Sequence, residues 1–548
     1  MDSKPTKVVA CDTENDPSGR LGQWSLAFRD NTGRLCIWDN HGITKQKELI
    51  EVFKNCTVVF HNYKWDARVL ARNNMPVPKN YVDTFIAAYC MGCGRQDVKD
   101  SAKGKDGSEM VGGLGLKYLA RKHLGMAMKT WLEIKDHPEM TQEYNADDSV
   151  ATLLLWEKWK DRLPKHFWTI DMPLLDVLMI MEDRGILADA SFLKTYAEML
   201  QEDLKEIDLP LNAFSPQEVQ SYVYGTLEIE PWRFTESGAP AVDAETLESI
   251  NDYTVQQIVK YKQLEHEHKN YASGYAKAMD EEGRIHCEFK QTSTATGRLS
   301  SANPNLQNVA KKRGEIRKLF IAKPKHKMIR MDWKLLEFGM LAVLAKDTTL
   351  INAFLHGDVH TETAKACGVT RDVGKRINFL MQNGGTAWGM SQQFGLPIDE
   401  AKGYYNAYYK RFPALKKFQD ENVAKAQANK KVIGPFGRER RLDALFAPDW
   451  RVRQEGEREA MTMPMQNGGA ELVKLAMIDL HYHHSAPMLI HVHDELLFEI
   501  PDEMAQEYAV WLNEYVPKIT PIDGVEFPVE VSVGNNWYEC LQEENVIK

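Results

Sequence analysis

Two carboxylates stand two residues apart near the start of the chain. Residues 7–11 are apolar enough to predict a strand, which would end at Asp12, and Glu14 follows it. Alternate residues of an extended chain point to the same face, so the two carboxylates would lie side by side and repel each other unless a cation lay between them. The pair therefore indicates a metal site, although taken alone it fits a solvated turn equally well.

Further acids and a phenol follow at spacings that strengthen this interpretation. A second predicted strand at residues 56–60 leads into a helix that carries Asp66, and a helix predicted over residues 143–162 carries Tyr144 and Asp148. The last two lie one helical turn apart on one face. Together with the first pair, these oxygens can hold two hard divalent cations, which activate a water and stabilise a leaving alkoxide. That chemistry suits hydrolysis of a phosphodiester.

A second set of acids lies in the C-terminal half. Residues 327–331 predict a strand that ends at Asp332, and residues 488–492 predict a strand followed by Asp494, Glu495 and another apolar run. The latter is a hairpin with acids at its tip. If these strands are neighbours, Asp332 and Asp494 meet at one end of a sheet and form a second two-metal site, suited to phosphoryl transfer. Each acid alone would be an ordinary turn residue.

Between these acids lies a basic stripe with one aromatic ring. Arg371, Lys375 and Phe379 recur every four residues, so they share one face of a helix. Two cations can bind a triphosphate, and a ring can stack on a base or sugar. Considered alone, the three residues also fit a solvated basic face with one core phenylalanine.

Composition sets the broad class. With 548 residues, 43% apolar and 27% charged, the chain predicts three to four globular domains. It has no run of about eighteen apolar residues, so we expect no membrane span. The N-terminus lacks the features of a targeting peptide, which predicts a cytoplasmic protein. The eight cysteines predict free thiols, and the lone Cys90/Cys93 pair is weak evidence for zinc.

Charge is unevenly distributed along the chain. The net charge is −10, yet residues 284–330 contain twelve Lys or Arg and two Glu, a local balance of +10. Because a phosphate backbone responds to local patches, nucleic-acid binding stays open despite the acidic total.

The predicted secondary structure changes along the chain. The first 90 residues predict an α/β fold, and the glycine-rich segment 91–115 predicts a surface loop. From about residue 164 the pattern is mostly helical. It includes a helix over residues 172–184, a helix capped by Ser215, and one long charged helix over residues 251–280. Strands and helices mix from residue 284 onward.

The N-terminal acids, taken in order, resemble the DEDD-type 3′–5′ exonucleases of the tyrosine-containing subclass. This resemblance implies that Tyr144 orients the attacking water and that Asn62 contacts the substrate strand near the scissile bond. It also implies a set of metal ligands, which are Asp12, Glu14, Asp66 and Asp148. Spacing from Tyr144 favours Asp148 over its neighbour Asp147.

Motifs over nearly the whole chain resemble those of family A DNA polymerases, the DNA polymerase I type. They are TGRLSS at 296–301, NPNLQN at 303–308, DWKLLEFGMLA at 332–342, the helix 371–379, VHDELLFE at 492–499 and GNNW at 534–537. The resemblance implies a multidomain α/β and α+β chain. A ribonuclease H-like exonuclease domain would precede a right-hand polymerase domain that extends a primer with dNTPs and proofreads it.

The same resemblance assigns roles to individual residues. Asp332 and Asp494 would be catalytic ligands of two Mg²⁺ ions, with Mn²⁺ as a substitute, and Glu495 would support them. The residues implied for dNTP binding are Arg371, Lys375, Phe379, Glu337 and His360. Those implied for primer–template binding are Arg298, Asn305, Gln307, Gln466 and His493.

Several positions depart from the family pattern. Leu335, Gly339, Thr462 and His491 stand where the family has Gln, Arg, Asn and Gln. The largest departure follows the basic helix. Asn383 and Gly384 occupy the register of a usual Tyr-Gly pair, while Trp388 follows five residues late. Which of Asn383 and Trp388 takes the tyrosine's role stays open.

The resemblance also implies an architecture. We expect an exonuclease domain over residues 1–165 and a polymerase domain over residues 166–548, the latter divided into a thumb at about 190–283, a palm at about 284–345 and 446–548, and fingers at about 350–445. We expect no 5′-nuclease domain, since the first strand begins the chain. This resembles phage-type enzymes and favours a replicative role.

Other functions remain as alternatives. The C-terminal half of a nuclease could merely bind DNA, but both palm acids and the basic helix argue against that. A single-subunit RNA polymerase is disfavoured by Glu337 and by the attached exonuclease. The sequence does not identify a processivity factor or other partner protein.

Overall fold

The computed structural model describes residues 7–15, 20–41, 46–93, 113–235, 238–309 and 315–547. Most of the segment 91–115, predicted as a surface loop, lies outside these residues. Within the described ranges, no helix combines the length and the apolar character needed to cross a membrane. All eight cysteines are free thiols.

The N-terminal unit is built on a five-stranded mixed sheet in the order β3-β2-β1-β4-β5. Strands β1 to β3 are antiparallel, whereas β4 and β5 run parallel to β1. In chain order the elements are β1 (Val8–Asn15), β2 (Leu21–Arg29), β3 (Leu35–His41), α1 (Gln46–Asn55), β4 (Thr57–Phe60), α2 (Tyr63–Arg72), β5 (Tyr81–Asp83), α3 (Thr84–Cys90), α4 (Leu116–Leu124), α5 (Trp131–Ile134) and α6 (Thr141–Trp159).

The first strand is longer than the sequence predicts. Val9, Ala10 and Cys11 are buried, but pairing with β2 continues through Asp12 and Glu14 to Asn15. The prediction that the strand ends at Asp12 is therefore wrong. Since β2 offers partners past the apolar run, backbone pairing extends the strand where hydrophobicity no longer indicates it. Both carboxylates are thereby held on a regular ladder.

The remainder of the chain continues from a helix that runs into the C-terminal part. Its elements are α7 (Met172–Arg184), β6 (Ile186–Leu187), α8 (Ala190–Lys205), α9 (Pro216–Gln220), α10 (Ala244–Glu248), α11 (Tyr253–Glu267), α12 (Gly274–Ala278), β7 (Arg284–Ile285), β8 (Glu288–Lys290), β9 (Ser300–Ala302), β10 (His326–Trp333), α13 (Leu336–Ala345), α14 (Thr348–His356), α15 (Val359–Cys367), α16 (Arg371–Gln382), α17 (Ala387–Phe394), α18 (Ile398–Arg411), α19 (Pro413–Asn429), β11 (Lys431–Ile433), β12 (Glu439–Arg441), α20 (Trp450–His484), β13 (Met488–Val492), β14 (Glu495–Pro501), α21 (Asp502–Tyr515) and β15 (Val529–Gly534).

Several helices match their sequence signals. Helix α7 ends at Gly185, whose φ of 58° is easiest for glycine. The Ser215 hydroxyl accepts a hydrogen bond from the Glu218 N–H at the start of α9. The helix predicted over residues 251–280 is present as α11 and α12, joined by a wider π-helical stretch at His268–Ser273.

A four-stranded antiparallel sheet in the order β13-β14-β10-β15 forms the base of the C-terminal part. The predicted hairpin of β13 and β14 is confirmed. Strand β10 pairs with β14 rather than with β13, and this register places Asp332 opposite Glu495. Met328, Ile329 and Met331 of β10 are fully buried, so the sheet end that carries Asp332 is fixed by a dense core.

A buried ionic cluster connects the two parts of the chain. The Asp171 carboxylate accepts two hydrogen bonds from Arg438, at 2.8 and 2.9 Å, and one from His166 at 2.8 Å. The Cys90 thiol, at the end of α3, lies 3.2 Å from the same carboxylate, and Arg438 also donates to Glu471 at 2.7 Å. Burial acts to raise the pKa of Asp171, but Arg438 and His166 hold it well below its usual range. The cluster is thus a paired charge set across the junction.

Candidate active sites

The N-terminal acids converge at one end of the five-stranded sheet. Carboxylate oxygens of Asp12, Glu14 and Asp148 all lie within 4.8 Å of one another. Asp66 joins them from α2, where its carboxylate accepts hydrogen bonds from the backbone and hydroxyl of Thr13 at 2.9 and 2.7 Å. The structure therefore brings together all four acids that the sequence singled out, and it places Asp148 rather than Asp147 in the group.

The start of α2 positions Asp66. Asn62, between β4 and α2, adopts a left-handed conformation with φ of 74°. The Asp83 carboxylate accepts hydrogen bonds from the N–H groups of Asn62 and Tyr63, at 3.0 and 2.9 Å. Because these are amides at a helix start, Asp83 satisfies donors that would otherwise lack partners. Sequence reasoning did not identify Asp83.

Charge in this site is unbalanced. Burial and repulsion by Asp148 raise the pKa of Glu14 to about 7, and burial raises the pKa of Asp148 to about 6 although Lys117 acts against it. The pKa values of Asp12 and Asp66 are also raised well above their usual range, chiefly by burial. Buried carboxylate oxygens that repel one another are the donor set that hard divalent cations favour, so these residues fit such ions.

Tyr144 lies over this cluster. Its ring is buried, and burial with the nearby carboxylates raises its pKa, so the phenol remains protonated. Two exposed rings lie near these acids, one in space and one in sequence. Trp131, 48% exposed, has its ring centroid 6.3 Å from that of Tyr144, and Trp65, 52% exposed, precedes Asp66 on α2. Sequence reasoning missed both tryptophans, although the position of Trp65 beside Asp66 was an available signal.

The C-terminal acids lie at one end of the four-stranded sheet. Asp332 is on β10, and the Trp333 N–H donates a hydrogen bond of 3.0 Å to the backbone oxygen of Asp494. A cleft beside them is lined by residues from several separate segments, among them Arg298, Glu337, Gln466, His493 and Asp494. The structure thus gathers at one cleft five residues that the sequence singled out from motifs far apart in the chain.

Two acids of this site have an arginine close by. Arg330 forms an ion pair with Asp332, and Arg298 forms one with Glu337. Two oxygen donors at the end of adjacent strands, partly exposed to a cleft, also fit divalent cations. The charges of Asp332 and Glu337 are thus each paired with an arginine, in contrast to the carboxylates of the N-terminal cluster.

Glu495 is directed into the protein. Its buried carboxylate accepts hydrogen bonds from Arg330 at 2.6 Å and from the Trp537 indole at 2.5 Å. Arg317 stacks on the Trp537 ring at 4.0 Å and lies 3.7 Å from Glu495. Glu495 therefore holds Arg330 beside Asp332, which fits a supporting role.

The basic stripe lies on α16 as one exposed face. Arg371, Lys375 and Phe379 are all exposed, and Phe379 is 46% exposed. His360 is buried beside them, with its ring centroid 6.0 Å from that of Phe379. Gly374 allows α16 to approach α15 closely, because a Cβ there would lie 2.6 Å from the His360 carbonyl oxygen.

The chain leaves the helical conformation after α16, just before the glycine pair Gly384 and Gly385. The helix ends at Gln382, the Asn383 amide donates to the Phe379 carbonyl at 2.7 Å, and Gly384 has φ of 70°. Trp388 lies on the next helix, α17, and is 68% exposed. Asn383 is thus used to close the helix, whereas the Trp388 ring is exposed.

Two other departures have local explanations. A Cβ at Gly339 would lie 2.4 Å from the Phe354 ring, so Phe354 fills the space that a larger residue at 339 would need. His491 is buried and its Nδ1 lies 3.2 Å from the Gln307 amide nitrogen. The Asn305 side-chain oxygen accepts the Gln307 N–H at 3.0 Å, so Asn305 shapes the turn that presents Gln307.

Part of the basic segment 284–330 is internal. Arg317 is buried, and Arg330 forms ion pairs with Asp332 and Glu495. Arg284 and Lys323 lie 3.3 and 3.4 Å from the buried carboxylate of Glu499. The local balance of +10 therefore overstates the exposed positive charge of this segment, since a charge count does not distinguish a surface cation from a buried one.

The fold and the two acidic sites together define a chain with an exonuclease unit followed by a polymerase unit. The family model described as DNA polymerase family A matches residues 188–539, and that described as 3′-5′ exonuclease matches residues 1–164. The chain belongs to DNA polymerase family A.

Similar curated proteins are bacterial. The chain is 30% identical to DNA polymerase I of Chloroflexus aurantiacus over 525 residues, which cover 87% of the chain and 54% of that protein. It is 31% identical to the thermostable DNA polymerase I of Thermus aquaticus, covering 74% of the chain and 52% of that protein. The chain thus spans about half the length of these relatives. The resemblance to phage-type enzymes stays a prediction.

A solved structure shares the fold. It is described as the POL domain of Pol1 from M. smegmatis in complex with DNA primer-template and dNTP. The TM-score is 0.84 at 23% sequence identity, and the match covers 97% of this chain and 96% of that one. The agreement over both lengths supports the mixed α/β architecture with the exonuclease unit first.

Proposed function

We propose that the chain is a DNA-templated DNA polymerase that extends a primer 3′-hydroxyl with dNTPs. The observation that carries the proposal is the convergence of Asp494 with Arg298, Gln466 and His493 at one cleft, beside the strand end that carries Asp332. Phosphoryl transfer depends on acids that hold metal ions beside groups that position the strands. Membership of the family and the named bacterial polymerases support the same assignment.

The residues of this cleft have distinct roles. Asp332 and Asp494 would hold two Mg²⁺ ions, which supply charge stabilisation at the transferring phosphoryl group when bound. Arg371 and Lys375 bind the triphosphate, and Phe379 stacks on the incoming nucleotide. The remaining contacts are Glu337 and His360 at the nucleotide, and Arg298, Asn305, Gln307, Gln466 and His493 at the primer–template.

We infer a second, proofreading activity in the N-terminal unit. Asp12, Glu14, Asp66 and Asp148 would hold the metal ions of a 3′–5′ exonuclease, Tyr144 orients the attacking water, and Asn62 contacts the strand. The observation that carries this inference is the cluster of mutually repelling carboxylates under the Tyr144 ring. The domain boundaries that accompany it are 1–165 for the exonuclease and 166–548 for the polymerase, with the thumb, palm and fingers as given above.

A labelled-primer assay tests the polymerase. With Mg²⁺ and dNTPs, a 5′-labelled primer on a longer template should lengthen with the wild-type protein and with Glu503→Gln, which alters an exposed acid of α21. Asp332→Asn should lower the rate about a thousandfold, since a metal contributes several kcal/mol of transition-state stabilisation. If the wild type only shortens the primer whatever dNTPs are given, the C-terminal half is a DNA-binding module and the proposal is wrong.

The exonuclease has a matched pair of neighbouring acids. Without dNTPs, Asp148→Asn should abolish shortening of the primer, whereas Asp147→Asn, which alters the acid outside the cluster, should retain it. Equal loss in both variants, or in neither, would contradict the assignment of Asp148.

A further inference from the structure

Lys117 lies against the N-terminal acids and has no role in the activities proposed above. It is the second residue of α4, on a segment separate from the strands and helices that carry the acids. Its ammonium group forms an ion pair with Asp148, and it lies 4.0 Å from the centroid of the Tyr144 ring. Its side chain is 21% exposed, so the charge is partly withdrawn from water.

The ammonium group and a divalent cation need the same oxygens. Asp148 is the carboxylate that Lys117 contacts, and Asp148 shares with Asp12 and Glu14 the small volume in which a cation would bind. The Lys117 charge also lowers the pKa values of Asp12 and Glu14, against burial and repulsion. An ion that binds at Asp148 must therefore displace this ammonium group or bind beside a like charge.

We propose that Lys117 is a resident cation of the exonuclease site, which competes with a divalent metal ion for Asp148 and weakens binding of that ion. The inference rests on the proposed exonuclease function. The ion that binds at Asp148 therefore needs a higher free metal concentration than it would need without the lysine. At Asp332, Arg330 is in the corresponding place, but Arg330 is also held by Glu495.

A consequence for activity follows from the competition. The Mg²⁺ concentration that half-activates primer shortening should exceed the concentration that half-activates extension. Removal of the Lys117 charge should lower the first value and leave the second unchanged. Proofreading would then need a higher Mg²⁺ concentration than synthesis does.

Direct metal binding tests the proposal. Mn²⁺ is titrated by electron paramagnetic resonance into the full chain carrying Asp332→Asn and Asp494→Asn, so that the N-terminal site dominates. Lys117→Met in this background should tighten the weakest Mn²⁺ binding by about tenfold or more. Lys117→Arg, which keeps the charge, and Lys122→Met, which removes an exposed lysine from the same helix, should leave it unchanged.

The sign of the change separates the outcomes. A purely structural role for Lys117 predicts weaker Mn²⁺ binding in Lys117→Met, and that result, or an unchanged affinity, overturns the competition. Lys117→Gln provides a second neutral variant, which must agree. If Asp148→Asn removes no Mn²⁺ from the parent protein, the metal-dependent exonuclease itself is wrong. If Asp148→Asn does remove an ion but the neutral variants bind no tighter, only the present inference fails.

Discussion

The two acidic sites of this chain differ in how their charge is compensated. In the N-terminal site, Asp12, Glu14 and Asp148 share one neighbouring lysine, and their pKa values are raised. In the C-terminal site, Asp332 forms an ion pair with Arg330, which also donates to Glu495. A cation bound in the first site relieves repulsion among three carboxylates, whereas in the second site Asp332 is already paired with Arg330 before any cation binds. Two clusters of acids can therefore both fit divalent cations although neighbouring basic residues compensate their charge to different degrees.

The largest effect that we expect tests whether the two sites belong to one cooperative unit. Asp171→Asn removes one of the two buried carboxylates that pair with Arg438 at the junction, the other being Glu471. Loss of one member of a buried pair costs about 3–5 kcal/mol, so the melting temperature should fall by many degrees and both activities should decline together on heating. Calorimetry measures this, with Asp161→Asn at an exposed position as control. Two separate transitions, with one site unaffected, would show that the units unfold independently.

The next effect should be confined to the N-terminal site. Trp131→Ala removes an exposed ring beside Tyr144, where a base of the unpaired strand can stack. Stacking of a base on an aromatic ring is worth about 1–3 kcal/mol, so shortening of a single strand should slow roughly tenfold while extension is unchanged. Rates on a labelled oligonucleotide measure it. Trp168→Ala, at a ring of nearly equal exposure (47% against 48%), is the control, and an equal loss there would argue against stacking.

Acid-to-amide substitutions compare the two electrostatic designs directly. The folded-state pKa of Asp12 is raised, so its ionisation above the unfolded pKa destabilises the metal-free protein, and Asp12→Asn should raise the free energy of unfolding. Asp332→Asn breaks an ion pair and should lower it. Both changes should be on the order of 1 kcal/mol. Denaturant melts in EDTA measure them, and shifts in the same direction would contradict the contrast between the sites.

The effect that is smallest at neutral pH concerns acid stability near the C-terminal site. Burial lowers the pKa of His491 to about 4. Between about pH 6.5 and 4 the unfolded chain binds a proton at this residue and the folded chain does not, so stability falls as the pH falls through that window. His491→Gln should flatten this part of the pH dependence and leave stability above pH 7 nearly unchanged. Urea melts from pH 4 to 8 measure it, and an unaltered slope would show that His491 does not contribute.

The sequence predicts local features of these sites well. The hairpin that carries Asp494, the helix that ends at Gly185 and the choice of Asp148 over Asp147 follow from spacing, turn residues and periodicity. Each depends on neighbours a few residues away, which determine local conformation. The end of the first strand was predicted incorrectly, because pairing with β2 rather than hydrophobicity sets it.

The compensating charges could not be predicted from the sequence. Lys117 meets Asp148 from a separate helix, and Arg438 meets Asp171 across 267 positions. Such contacts depend on tertiary packing, which leaves no local pattern. Arg330 is an exception, because it precedes Asp332 by two residues on a strand and shares its face. Arg317 shows the converse, since a basic residue in a basic segment is buried on Trp537.

Under the proposed function, two separate metal-dependent sites act on one primer end. Conversion of a dNTP to its monophosphate at a primer terminus, with only the next templated dNTP present, requires addition at Asp332 and removal at Asp148. With that dNTP labelled, we expect steady release of labelled monophosphate by the wild-type protein, none by Asp332→Asn or Asp148→Asn alone, and recovery when the two variants are mixed. Release of labelled monophosphate at the wild-type rate by either single variant would contradict the assignment of two sites, because one site would then perform both reactions.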